Sequence, residues 1–265
     1  MSWQSVGQNW VLLPRHRVTA IIHFVGGAFV GAAPQLSYTK LLESIAEKGY
    51  AIIATPFINT LDHKAIATAV LDQFEDTLDH LQHRQVLDWE LPIYGLGHSM
   101  GCKVHLLIGS LFEIERSGNI LMSFNNFDAD RAIPFVEWLN ISGSVQFTPT
   151  PAQTYRLVQH YYPTSRNLLI RFRNDDLDQT RQIAVILGDR FGEHITIERL
   201  EGNHLTPLGQ NFSWQTQDFF SPLDALGQWV SQEFYRDHAS VEQRILEWLD
   251  QVSIFPVSKP QSPKY

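Results

Sequence analysis

The sequence has a single cysteine among its 265 residues, so an intrachain disulfide is excluded. Such scarcity is typical of proteins kept in a reducing compartment, and we expect a cytoplasmic location. Basic residues are also few, because 20 Lys and Arg face 28 Asp and Glu, which gives a net charge of −8. This acidic balance argues against nucleic acid as a partner, since binding a phosphate backbone requires a positively charged surface.

Long hydrophobic runs are missing as well. No stretch approaches the roughly 20 consecutive apolar residues that a membrane-spanning helix needs. The first residues lack the basic start and apolar core of a secretory signal, and we predict no transmembrane segment. With 44% hydrophobic and 18% charged residues, the composition is that of a globular chain able to bury a core.

Short apolar runs with the length of strands alternate with longer segments of helical periodicity. The six clearest runs are 18–25, 50–54, 91–96, 119–124, 167–172 and 195–200. Between them, segment 62–82 repeats apolar residues at intervals of three and four, which indicates one buried face of a helix. Strands that alternate with helices predict a doubly wound, mostly parallel α/β sheet with both faces covered. Residues 10–13 are predicted to add an antiparallel edge strand.

The domain organisation is predicted to be simple. No change in composition divides the chain, so we expect one domain over residues 1–250. Segments 148–162 and 206–222 show no clear periodicity and are predicted to be irregular, the second as a possible lid. Residues 251–265 are rich in Pro, Ser and Lys and are predicted to form a flexible tail.

A G-x-S-x-G motif follows the third predicted parallel strand. It comprises Gly97, Ser99 and Gly101, and an apolar helical segment comes after it. In open α/β sheets ligands bind at the carboxyl ends of the strands, where this motif forms a sharp turn that exposes a nucleophilic serine. The alternative interpretation is a glycine-rich turn with a solvated serine. The strand before it and the helix after it favour Ser99 as a nucleophile.

A serine nucleophile needs a base and an acid, which should follow it in the chain. His204 comes shortly after the last predicted strand, where such a base is expected. Three aspartates follow the fifth strand: Asp175 is preferred as the acid, Asp178 is the second choice, and Asp176 is a further alternative. Asp178 is also suited to cap the next helix. Asp128, after the fourth strand, is an alternative acid at a different strand end.

An oxyanion hole requires two converging N–H groups. One is expected to be the amide of Met100, next to the nucleophile. The other should come from the loop after the first parallel strand, where Gly27 or Ala28 is the candidate. A dinucleotide phosphate loop is the competing interpretation, but the spacing of Gly26, Gly27 and Gly31 does not give G-x-G-x-x-G.

These motifs together resemble the α/β-hydrolase superfamily. The resemblance rests on 97–101, the 26–27 loop, 174–175 and 202–204. More narrowly, segments 23–32 and 123–126 look like a branch of that superfamily found in cyanobacteria and plastids. The resemblance implies the fold and a hydrolase site. The sequence departs from the common pattern at Val25, where the family usually has histidine, and at Phe172, where glycine is frequent.

We therefore interpret the chain as a serine hydrolase, an esterase or lipase-like acyl hydrolase with a Ser-His-Asp triad. Its expected substrate is a small-molecule or lipid-like ester, and the chemistry calls for no metal and no cofactor. Two other classes stay open. One is a binding or scaffold protein that keeps the fold without catalysis, and the other is an acyltransferase or lyase that uses the same site.

Overall fold

The computed structural model describes residues 1–28, 30–128, 146–208 and 234–253. Its strands are β1 (Gln4–Val6), β2 (Asn9–Leu12), β3 (Ala20–Val25), β4 (Tyr50–Ala54), β5 (Ile93–His98), β6 (Gly118–Met122), β7 (Asn167–Phe172) and β8 (Ile195–Leu200). They form one sheet in the order β1-β2-β4-β3-β5-β6-β7-β8. From β4 to β8 in this order every pair is parallel, whereas β1 and β2 pair antiparallel.

Helices fill the connections between the parallel strands. They are α1 (Pro34–Ser37), α2 (Thr39–Glu47), α3 (His63–His83), α4 (Met100–Phe112), α5 (Pro151–Tyr161), α6 (Thr180–Phe191) and α7 (Phe234–Ser253). Short 3-10 turns at Val30–Ala32 and Gly192–His194 complete the described elements. Helix α3, the longest within the described ranges, begins after Asp62, whose carboxylate accepts a 2.9 Å hydrogen bond from the Ala65 amide.

Both faces of the sheet are covered. On one face, Ile45 of α2 and Ile245 of α7 pack against Ile22 of the sheet in one buried cluster. On the other face, Val70 of α3 and Val104 of α4 pack together in a second cluster. Strands enclosed on both sides are nearly continuously apolar, and all six residues of β3 are buried.

The strand order creates a crevice at the carboxyl ends of β3 and β5. After β3 the chain adds β4 on one side of it and then returns to add β5 on the other side, so the direction in which successive strands are placed reverses there. Val25, the last residue of β3, is in register with Gly97 of β5. Ligands of open α/β sheets bind at such a switch point. The loop after β3 and the turn after β5 therefore meet where a ligand is expected.

The doubly wound, mostly parallel sheet predicted from the sequence is confirmed. The predicted strands 50–54, 167–172 and 195–200 have the bounds of β4, β7 and β8. The prediction of an antiparallel edge strand at 10–13 was wrong in one respect. Strand β2 is antiparallel, but β1 pairs with its free side and forms the edge.

The prediction of an irregular segment at 148–162 was wrong, because helix α5 occupies most of it. The Thr150 hydroxyl accepts from the Gln153 amide at 3.3 Å, and the Gln153 side chain accepts from the Thr150 amide at 2.9 Å. Pro151 occupies the first turn of the helix. A capping box followed by proline was thus present in the sequence and outweighs the weak periodicity of the segment.

Two further predicted segments fall largely beyond what the structure describes. Of the possible lid at 206–222, residues 209–222 lie outside the described residues. Of the predicted tail, 251–253 belong to α7, and 254–265 lie outside the described residues. Among the helices of the described ranges, none combines the length and the apolar character that crossing a membrane requires.

Candidate active site

Ser99 lies on a strained turn between β5 and α4. Its backbone has φ 53° and ψ −118°, a conformation that non-glycine residues rarely adopt. The turn is held from both sides, since the Ser99 amide donates to the Met122 carbonyl at 2.9 Å and the Cys102 amide donates to the Ser99 carbonyl at 3.1 Å. Strain of this kind persists only where neighbouring structure enforces it, and it is concentrated at functional sites.

The two glycines of the motif permit close backbone contacts around this turn. A Cβ at Gly97 would lie 2.7 Å from the Cys102 nitrogen, and a Cβ at Gly101 would lie 2.0 Å from the Val25 carbonyl oxygen. Both distances are shorter than non-bonded atoms tolerate. Any side chain at either position would push α4 away from the sheet, so the motif requires glycine at both.

The His204 ring lies between Ser99 and Asp175, within hydrogen-bond distance of each. His204 Nε2 is 3.0 Å from Ser99 Oγ, and His204 Nδ1 is 3.0 Å from Asp175 Oδ2. A carboxylate only accepts, so Nδ1 carries a proton toward Asp175 and Nε2 accepts from the Ser99 hydroxyl. In this arrangement the imidazole can take the serine proton while the carboxylate fixes its tautomer.

The loops that carry the acid and the histidine are joined. The Asn174 amide donates to the Gly202 carbonyl at 3.0 Å, next to Asp175 in one loop and close to His204 in the other. The side chain of Asp175 is 0% exposed and that of His204 15%. The carboxylate is therefore fully shielded, while a small part of the His204 side chain stays accessible.

The environment of Asp175 keeps its carboxyl group ionised. Burial by itself raises the pKa of Asp175, but the hydrogen bond and charge of His204, together with the Leu177 amide, outweigh it and lower the pKa below its ordinary value. The Leu177 amide donates to Asp175 Oδ1 at 2.9 Å. An ionised carboxylate at this position stabilises a protonated His204.

The alternative acids have other surroundings. Asp178 forms a 2.5 Å ion pair with Arg171, and its second oxygen accepts from the Thr180 amide at 3.0 Å at the start of α6. Asp176 and Asp128 are both exposed. The geometry therefore favours Asp175 over the three alternatives.

Asn125 is a site residue that the sequence analysis did not single out. Its Nδ2 donates to Ser99 Oγ at 2.9 Å, so the oxygen accepts from Asn125 while it donates to His204. Asn125 lies three residues after β6, and Met122 at the end of β6 is in register with His98. A polar residue following the strand next to the nucleophile strand was the signal available in the sequence.

One of the predicted oxyanion donors is already engaged. The Gly27 amide donates to the Tyr38 hydroxyl at 2.9 Å. Ala28 is therefore the better candidate in that loop. Met100, the second predicted donor, is the first residue of α4, where backbone N–H groups have no intrahelical acceptor.

Groups that could bind a metal ion or act as a thiol nucleophile were sought among the described residues. Within these ranges, no group of three or more His, Cys, Asp or Glu side chains is arranged to hold a metal ion. Cys102 is buried, its Sγ donates to the Met122 carbonyl at 3.2 Å, and burial raises the pKa of the thiol well above its ordinary value. Its environment is that of a packing residue.

Comparison with known proteins places the chain in a family and a fold. A family model described as "Protein of unknown function (DUF1350)" matches residues 2–251. A search of curated proteins gives no match. Many solved structures, in contrast, match the chain, and α/β hydrolases are among them.

Three of these structures illustrate the similarity. S-formylglutathione hydrolase from Staphylococcus aureus superposes with a TM-score of 0.57 at 14% identity, covering 91% of this chain and 89% of that one. Fluorophosphonate-binding serine hydrolase F from the same organism gives 0.54 at 17% identity, covering 74% and 85%. A lidless α/β serine hydrolase from Xanthomonas campestris gives 0.52 at 12% identity, covering 94% and 90%. These superpositions establish the α/β-hydrolase fold of the chain. Because the identities are low, the similarity is limited to the fold.

Proposed function

The chain belongs to the DUF1350 family, and we propose that it is a serine hydrolase that cleaves an ester bond. The observation that carries this proposal is the unbroken series of hydrogen bonds from Asp175 through His204 to Ser99 Oγ. The three residues come from loops after three different strands, in the chain order of α/β hydrolases. Fold similarity adds to this support but does not replace it.

In the proposed reaction Ser99 Oγ attacks the carbonyl carbon of the ester while His204 Nε2 takes its proton. The amides of Met100 and Ala28 stabilise the oxyanion, and ionised Asp175 stabilises the imidazolium. When the tetrahedral intermediate collapses, the ester C–O bond breaks and the departing alcohol takes the proton from His204. Water, deprotonated by His204, then cleaves the acyl-enzyme and regenerates Ser99.

The surroundings of the site favour an apolar substrate. The loop after β3, which contains Gly27 and Ala28, is called the oxyanion loop below. Leu36, in helix α1 after this loop, is 66% exposed, and Ile58, after β4, is 83% exposed. Phe57 lies against this loop, since a Cβ at Gly31 would be 3.0 Å from its ring. These exposed apolar side chains belong to segments that follow β3 and β4, whose carboxyl ends lie at the same edge of the sheet as that of β5, and they favour a small-molecule or lipid-like ester over a charged substrate.

A cytoplasmic location and a relation to the cyanobacterial and plastid branch, both inferred from the sequence, belong to this proposal.

A fluorophosphonate probe tests the proposal directly, because it reacts with an activated serine. We expect labelling of the wild type, none of Ser99→Ala, and hydrolysis of p-nitrophenyl esters that improves with acyl length. Failure of the wild type to be labelled would contradict catalysis and favour a binding or scaffold protein. Labelling accompanied by acyl transfer to an added alcohol, with no hydrolysis in its absence, would identify an acyltransferase instead.

A further inference from the structure

A buried histidine next to the nucleophile connects two parts of the proposed active site. His98 Nε2 lies 2.8 Å from the carbonyl oxygen of His204, and its Nδ1 lies 2.8 Å from the Tyr38 hydroxyl. The same hydroxyl is 2.9 Å from the Gly27 amide. The hydrogen bonds thus run from the oxyanion loop to the backbone of the proposed catalytic base, and no step of the proposed reaction uses them.

Each of these hydrogen bonds has a defined direction. A carbonyl oxygen only accepts, so His98 Nε2 must carry a proton. Burial, followed by the nearby charge of His204, lowers the pKa of His98 to about 3, so the ring is neutral and Nδ1 has a free lone pair. Nδ1 therefore accepts from the Tyr38 hydroxyl, which in turn accepts from the Gly27 amide. Every polar group in the series is satisfied in one arrangement only.

The residues of this series are packed as well as hydrogen-bonded. Tyr38 is fully buried, and His98 is 2% exposed. A Cβ at Gly27 would lie 3.3 Å from His98 Nδ1 and 3.3 Å from Ser99 Cβ, so the oxyanion loop rests directly on the nucleophile turn. The ring centroids of His98 and His204 are 5.1 Å apart. The loop, the turn and the histidine are held in one contiguous group.

We propose that His98 and Tyr38 are positioning residues that fix the oxyanion loop relative to His204. The inference rests on the proposed hydrolase function, because the two parts need a fixed separation only if both act on one substrate. A displacement of about 1 Å in such a site can lower the rate about 10²-fold. Loss of one link should therefore lower kcat, whereas substrate binding, which depends on other contacts, should change little.

The test compares two Tyr→Phe variants that remove the same group from equally buried sites. Tyr162 is fully buried, and its hydroxyl bonds to Asn119 at 2.5 Å and Asn167 at 2.7 Å, at the amino ends of β6 and β7. We expect Tyr38→Phe to lower kcat about 10- to 100-fold with KM within about twofold. Tyr162→Phe should lose comparable thermal stability and keep its kcat.

A second pair of variants keeps the test decisive should Tyr38→Phe fail to fold. His98→Gln is matched by His105→Gln, since His105 is also 2% exposed and its Nε2 bonds to the Leu96 carbonyl. We expect a lower kcat for His98→Gln alone. The double variant Tyr38→Phe/His98→Gln should lose no more than the worse single variant, because both remove one series of bonds.

The outcomes separate the two proposals. Wild-type protein that no fluorophosphonate labels would overturn the proposed function, and this inference with it. If the wild type is labelled and Ser99→Ala is not, the proposed function stands. In that case, a kcat of Tyr38→Phe no lower than that of Tyr162→Phe would overturn the positioning role alone. Additive losses in the double variant would also contradict it, since they would show that the two residues act separately.

Discussion

The side-chain amide of Asn125 donates a 2.9 Å hydrogen bond to Ser99 Oγ, the atom that also bonds to His204 at 3.0 Å. The hydroxyl therefore has a donor on one side and an acceptor on the other. Its single proton is directed toward His204, because Asn125 Nδ2 cannot accept it. In the proposed mechanism, Asn125 therefore orients Ser99 Oγ for transfer of its proton to His204.

Removal of this donor should slow acylation. We expect Asn125→Ala to lower the rate of fluorophosphonate labelling about tenfold, the size of one hydrogen bond of about 1.4 kcal/mol. Asn125→Asp should lose more, since a carboxylate cannot donate to Oγ and would itself accept the Ser99 proton that His204 has to take. Asn126→Ala is the matched control, because the Asn126 side chain bonds to the Pro151 carbonyl at 3.0 Å. Equal labelling rates for Asn125→Ala and wild type would contradict the role.

The reacting group itself is tested by a serine and a cysteine variant. Ser99→Ala should abolish ester hydrolysis without unfolding the protein, because Cβ is retained on the strained turn. Cys102→Ala should keep labelling, since the thiol is buried and its pKa is raised. Mass spectrometry of the labelled peptide identifies the modified atom. A label on Cys102, or full activity in Ser99→Ala, would show that the nucleophile was misassigned.

The identity of the acid follows from four Asp→Asn variants. Asp175→Asn should leave the fold intact but favour the wrong imidazole tautomer, a change that costs about 10⁴ in kcat in a serine triad. Asp176→Asn and Asp128→Asn should be nearly silent, because both residues are exposed. Asp178→Asn should lower stability rather than kcat, since it weakens the ion pair with Arg171. Normal kcat for Asp175→Asn would exclude it as the acid.

Much of the fold and part of the site could be predicted because the signals are local. The apolar runs of β4 and β7 need no partner to be identified, and the glycines around Ser99 are required by the turn itself. His204 and Asp175 follow strand ends, which parallel topology brings to one edge of the sheet. Position relative to a strand was therefore enough to select them as candidates.

The remaining parts depend on contacts between distant segments. The Gly27 amide looked available in the sequence, but the Tyr38 hydroxyl, which arrives from the following helical segment, occupies it. His98 could be seen in the motif, but not its bond to the His204 carbonyl, 106 positions away. Such pairings depend on which side chains tertiary packing brings together, and periodicity carries no information about them.

On its acidic side, the pH dependence of hydrolysis should reflect protonation of His204. We expect kcat/KM to fall as pH is lowered from about 8 to 5, because a protonated His204 cannot accept the Ser99 proton. His98 stays neutral over this range, since burial lowers its pKa to about 3, and the pKa of Asp175 is also lowered. A profile that is flat from pH 5 to 8, with acylation rate-limiting, would contradict His204 as the base.

A buried lysine makes folding stability depend on pH. Lys103 of α4 is 2% exposed, and its Nζ has no hydrogen-bond partner among the residues that the structure describes. Burial lowers its pKa to about 7, although the charge of Asp128 acts in the opposite direction. An unfolded lysine titrates near pH 10.4, so between about pH 7 and 10 the unfolded chain binds a proton that the folded chain lacks. Stability from this group therefore rises with pH over that interval.

Replacing Lys103 by methionine should remove the cost of burying the amine while keeping a similar volume. We expect Lys103→Met to raise the free energy of unfolding by about 1–3 kcal/mol at pH 7, the usual cost of burying an unpaired polar group. The gain over wild type should shrink as pH approaches 10, because the wild-type penalty disappears there. Lys64→Met, at an exposed position of α3, should change stability little at any pH. Urea denaturation at pH 7, 8.5 and 10 measures both variants, and a constant destabilisation by Lys103→Met would mean that the amine is charged and paired.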